Sequence, residues 1–185
     1  MTSEQQKLVI EYMLGRLSYD ELVQRTGLDP AGQPDFATTV LHDSFVAQDA
    51  DSVECALLLI FHFELVKPGL APLLARLLLQ PWHRKHEDIA SALQQLRVPA
   101  TADALAEAAL VKHDYLAYND SHALARKCTW ALADIGSPQA RCHLETLARV
   151  DDAEIAGYAQ KRLDSWDSEL GRKGAVRATN GKGRR

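Results

Sequence analysis

One apolar helical pattern occurs twice in this chain, 39 residues apart. Ala92-Leu93-x-x-Leu96 returns as Ala131-Leu132-x-x-Ile135, and Leu105 returns as Leu144. A second spacing, 31 residues, relates Ala125, Cys128 and Leu132 to Ala156, Ala159 and Leu163. The eight residues by which the spacings differ match the insertion LAYNDSHA, 116–123, between two helices. A helix pair of this length cannot bury its apolar face alone, so such repeats must stack against one another, as in an α-solenoid.

Start and stop signals divide the chain into about ten helices. Ser3 with Gln6 reads as a capping box for the first, with Leu8, Val9, Tyr12 and Met13 as its apolar stripe. Ser18 with Glu21 opens a second that Gly27 closes, and Pro34-Asp35 opens a third. Asp51 with Glu54 caps a fourth, which Pro68-Gly69 stops near Val66. A Leu-rich fifth spans 70–79, a sixth runs from His83 to Arg97, and Thr101 opens a seventh. Asp120 or Ser121 opens an eighth that ends at Gly136, and Ser137-Pro138 supplies the N-cap and first-turn proline of a ninth. Asp151 with Glu154 caps a tenth that ends near Trp166. No segment alternates with period two, so the predicted fold is all-α.

WALADIGSPQARCHLETLA, 130–148, resembles the HEAT-repeat pattern, in particular the short repeats of bacterial HEAT and phycobilisome-lyase-like proteins. There a helix ends in A-L-x-x-I-G, a Ser/Asp-Pro turn follows, and the next helix ends in L-x-x-L. Small alanines let helices approach, glycine takes the left-handed cap, and proline preorganises the next first turn. The resemblance covers 83–166, extends over 34–81 through helix pairing, and leaves 1–27 as an N-terminal helical cap. It implies a HEAT-like α-α superhelix over 1–166; the remaining 167–185, Gly-rich and basic, reads from its composition as a solvated tail. The Arg and Asp usual in the HEAT turn are mostly missing here.

Charge bears on partners. The net charge is −4, but 167–185 carry six Lys/Arg against two acids, leaving 1–166 at −8. An acidic body repels nucleic acid and steers basic partners towards it, so nucleic acid is expected only through the tail. The longest apolar run, Cys55–Phe61, is far below the roughly 20 residues of a membrane span, and MTSEQQKLVIEY lacks the pattern of a signal peptide. Three cysteines without a spacing framework point to a reducing compartment. The expected location is the cytoplasm.

Chemistry is sparse. WHRKHED, 82–88, is the strongest-looking metal cluster, with His83 and His86 at i, i+3 and Glu87 and Asp88 beside them. Within the family it resembles, deoxyhypusine hydroxylase builds a di-iron site from several His-Glu pairs. This chain has one, His86-Glu87, while His62-x-Glu64 and His143-x-Glu145 are wrongly spaced. One pair cannot supply that ligand set, so no metal and no cofactor are expected. The cysteines fall on predicted core faces, where burial leaves a thiol inert. No nucleophile motif, HExxH or phosphate-cradling glycine loop is present. The expectation is a protein that is not an enzyme.

Surface recognition remains. Trp130 lies off the apolar arc of the eighth helix, with Arg126 and Asp134 one turn away on either side, a composition typical of interface hot spots. Tyr118, Asp120 and His122 sit on the adjoining insertion. The resemblance places the exposed positions of 83–97 (Glu87 among them), 121–135 and 152–165 on the contact surface. It also extends to small bacterial immunity proteins, which neutralise a cognate toxin. The expected function is therefore protein binding, in its narrowest form an immunity or antitoxin protein that occludes a basic toxin. The alternatives are an assembly adaptor, a nucleic-acid-binding HEAT protein and a metal-dependent HEAT-repeat enzyme.

Overall fold

Side-chain caps fix where several helices of this chain begin. In a computed structural model, which describes residues 1–117 and 122–168, Thr2 and Gln5 form the capping box of α1 (Ser3–Met13). Ser18 and Glu21 do the same for α2 (Tyr19–Thr26), and Gly27 closes it in the left-handed conformation, φ 71°. α3 (Phe36–Ala47) ends on Gln48 in the same conformation. Asp49 then caps α4 (Ala50–His62), accepting hydrogen bonds from the backbone N–H groups of Asp51 and Ser52. α5 (Ala71–Leu78) and α6 (His86–Leu96) follow. After these come α7 (Ala102–Ala108), α8 (Ala123–Ile135), α9 (Pro138–Leu147) and α10 (Ala153–Asp164). The fold is all-α, with no strand among the described residues. No described helix is long and apolar enough to cross a membrane.

Several boundaries differ from the sequence expectation by one to three residues. Thr2 caps α1 rather than Ser3, Asp49 caps α4 rather than Asp51, and Asp152 caps α10 rather than Asp151. α6 begins at His86, because the His83 and His86 side chains are spent on the turn before it. α8 begins after His122. Tyr118, Asp120 and Ser121, and the tail from residue 169, lie outside the described residues.

The chain gathers into two compact units, Met1–Ala92 and Leu93–Arg185. In the first, α1 packs on α2 and α4, and α3 packs on α4 and α5. Val9, Leu22, Leu41, Val53, Leu59 and Leu77 are fully buried there. Gln6 ties α1 to the start of α4 through Asp49 and Ser52, each at 3.1 Å. In the second unit, α7, α8, α9 and α10 each touch the next helix, and α7–α9 and α8–α10 touch as well. Packing against both the next helix and the one after it is how stacked helical repeats bury their faces.

α8 is the centre of this second unit, with ten of its thirteen residues buried. Ala131 of α8, Ala140 of α9 and Ala159 of α10 have no exposed surface, and α8, α9 and α10 all pack against one another. Gly136, at φ 65°, ends α8, and Ser137 immediately caps α9 by accepting from Ala140 N–H at 3.1 Å. Most positions of the repeat seen in the sequence are buried, while Leu96, Ala156 and Leu163 are half-buried.

Candidate functional site

The exposed residues of so deeply buried a helix are few, and Arg126 and Trp130, one turn apart, are two of them. Trp130 keeps 41 % of its surface accessible. From α10, Tyr158, Lys161 and Arg162 stand at i, i+3 and i+4, on the face turned towards these two. Together with Thr129 they line a pocket of about 90 Å3. The Arg162 guanidinium lies over the Trp130 ring, 3.6 Å from its centroid, and Arg162 is only 5 % exposed. A cation on the negative face of an indole, withdrawn from water, is a favourable cation–π arrangement. It also holds both side chains in one geometry.

This convergence was hidden in the linear sequence, where Arg126, Lys161 and Arg162 alternate with acids. The signal that finds it is the 31-residue spacing, which makes Lys161 the repeat equivalent of Trp130 and sets both on the same side of neighbouring helices. The result is a local cationic, aromatic spot on a body whose net charge is negative.

Asp134 stands apart from the expected hot spot. It is buried, 9 % exposed, and its carboxylate accepts a hydrogen bond from Gln94 at 2.6 Å, so it ties α8 to the chain before α7. His122 likewise turns to a structural partner. Its Nε2 lies 3.0 Å from Asp152 Oδ2, and Lys112 Nζ donates to the same oxygen at 2.8 Å. The other oxygen, Oδ1, caps α10 by accepting from Glu154 and Ile155 N–H. The Lys112 and His122 hydrogen bonds hold the Asp152 carboxyl far below the usual carboxylate range.

His83 and His86 are fully buried, their rings stacked at 4.2 Å. Each places Nε2 2.8 Å from a carbonyl oxygen, of Leu77 and Gln80 respectively. Lys85 N–H donates to His83 Nδ1, so His83 carries its proton on Nε2 and donates to Leu77. The pair closes the end of α5, which leaves its Nε2 atoms committed to backbone. Glu87, half-buried, follows in the first turn of α6. Among the described residues no group of three or more His, Cys, Asp or Glu side chains is placed to hold a metal ion.

The cysteines divide. Burial pushes the Cys55 thiol up to about 11 and raises that of Cys128 as well. Cys142, expected on a core face, is exposed on α9 instead. Set against known proteins, the chain matches no family model, no curated protein and no solved structure.

Proposed function

We propose that this chain is a non-catalytic protein-binding helical-repeat protein, recognising its partner through the outward faces of α8 and α10. In its narrowest form the reading is an immunity-type protein that binds a basic toxin and occludes its active site. The observation that carries it is Trp130, a large aromatic with 41 % of its surface accessible, clamped by Arg162 on a rigid helix. An aromatic anchor already fixed in one rotamer loses little entropy when a partner covers it. The charge of the body supports the same reading, since residues 1–166 at −8 attract a basic partner over distance.

The test is recovery of the full chain from its own cells at low salt, with the co-purifying proteins identified by mass spectrometry. One stoichiometric basic protein is expected. Trp130→Ala should weaken its binding by about 2 kcal/mol or more, roughly thirtyfold, as for a central aromatic hot spot. Equal binding by wild type and variant, measured on correctly folded protein, would move the interface away from α8. Recovery of nucleic acid in place of protein would overturn the reading altogether.

A further inference from the structure

The first unit, Met1–Ala92, exposes a surface of its own between α1 and α4. The two helices pack together and run in the same direction, since Gln6 meets Asp49 and Ser52 near their starts and Tyr12 meets His62 near their ends. On one side of the pair lies a groove of about 270 Å3. Lys7 and Ile10 line it from α1, and Asp51 and Glu54 line it from α4. Both stripes turn apolar towards the helix ends. Leu14 stands one turn beyond Ile10, and Leu58 and Phe61 stand one and two turns beyond Glu54. Ile10, Leu14 and Phe61 keep 40 %, 57 % and 38 % of their surface accessible, and Leu58 is half-buried. We infer that this face binds a second copy of the chain, forming a symmetric dimer.

Two features select that occupant. First, the groove carries charge of both signs. Glu54 is paired with Lys85 at 2.7 Å, but Lys7 on one wall and Asp51 on the other have no ion pair among the described residues. A basic partner would answer only Asp51, and an acidic one only Lys7. A second copy answers both, because residue i meets j while j meets i across a two-fold axis. Second, the geometry of the pair suits an axis laid along the groove. That operation sets α1 of each copy on α4 of the other, in the manner of a four-helix bundle. Lys7 of each copy then faces Asp51 of the other, and Ile10 and Leu14 face Leu58 and Phe61. Few apolar side chains are covered, so the dimer is weak, with a dissociation constant on the order of 10–100 μM.

Sedimentation equilibrium of the full chain tests this between about 1 and about 500 μM protein. Salt is held at about 0.15 M, where a Debye length of about 8 Å screens the mutual repulsion of two acidic bodies. The average mass should rise from monomer to dimer and no further, because a two-fold contact closes on itself. Ile10→Glu and Leu14→Glu, both at exposed positions, should each weaken the dimer at least about tenfold with the circular dichroism spectrum unchanged. The charges allow a test that non-specific association would not pass. Lys7→Glu and Asp51→Lys, also at exposed positions, each set like charges together in both contacts, and either variant alone should lose the dimer. Mixed in equal amounts, the two variants again place opposite charges in both contacts, and a heterodimer should form with about the wild-type constant.

A chain that stays monomeric to about 500 μM would overturn the proposal. So would a dimer that survives Ile10→Glu, or charge variants that fail to restore one another on mixing. The dimer face shares no residue with the outward faces of α8 and α10, and partner capture tests those separately. Failure of either reading therefore leaves the other standing.

Discussion

Cys128 and Cys142 lie in successive helices of one repeat and meet opposite fates. Cys128 has no exposed surface and packs in the centre of the second unit, where desolvation opposes its thiolate. Cys142 stands on the solvent side of α9. The sequence places both in apolar runs, and only packing distinguishes them, because the exposed face of α9 happens to carry a small residue that reads as core. Accessible thiol chemistry should follow the structure. With a thiol-specific disulfide reagent at pH 8, the native protein should release about one equivalent rapidly, from Cys142 alone, and all three after denaturation. Cys142→Ser should abolish the fast phase. A fast phase of two equivalents would mean that Cys55 or Cys128 is exposed by opening of its helix.

At the scale of the element, the turns were far more legible than the side chains that serve them. Ser18 with Glu21, Gly27, Gly136 and Ser137-Pro138 stand where the sequence puts them, because each position requires a backbone conformation or a cap that few residues supply. Elsewhere two adjacent acids or hydroxyls can serve equally, and tertiary contacts choose between them. Asp49 wins over Asp51 as the cap of α4 partly because Gln6 and Ser52 also bind its carboxylate. Asp152 wins over Asp151 because Lys112 and His122 converge on it. These partners lie 40 and 30 residues away, beyond the reach of a local capping rule.

The Asp152 junction carries a pH dependence whose sign is set by its cause. Hydrogen bonds from Lys112 and His122 depress the carboxyl of the folded protein below its unfolded value. Its contribution to stability is therefore fully present above the unfolded value of about 4 and is lost as pH falls towards the folded one. Asp152→Asn keeps a side-chain acceptor for the α10 cap but removes the charge. Thermal unfolding followed between about pH 2 and pH 7 should show the variant less stable above about pH 4. The gap should narrow steadily as the solution is acidified. A gap that stayed constant would assign the role of Asp152 to capping alone.

The whole molecule presents two electrical scales, and only one was legible. The net −8 of residues 1–166 is a sum, readable from composition. The cationic spot between α8 and α10 is a juxtaposition of Arg126 from one helix with Lys161 and Arg162 from another, and no sum reveals it. The two act at different distances. Out to about a Debye length, about 10 Å at 0.1 M salt, an approaching partner feels the summed charge of the body, while a docked side chain feels the pocket. Association and dissociation with the captured partner should therefore respond differently to salt. Raising sodium chloride from about 50 to about 500 mM should slow association roughly tenfold, as screening removes the attraction of a basic partner. Dissociation should change far less, because the Trp130–Arg162 clamp is partly withdrawn from solvent. Surface plasmon resonance at several salt concentrations separates the two rates. An association rate that rose with salt would mean that the partner is acidic as a whole, so that the body repels it and the small cationic pocket alone draws it in.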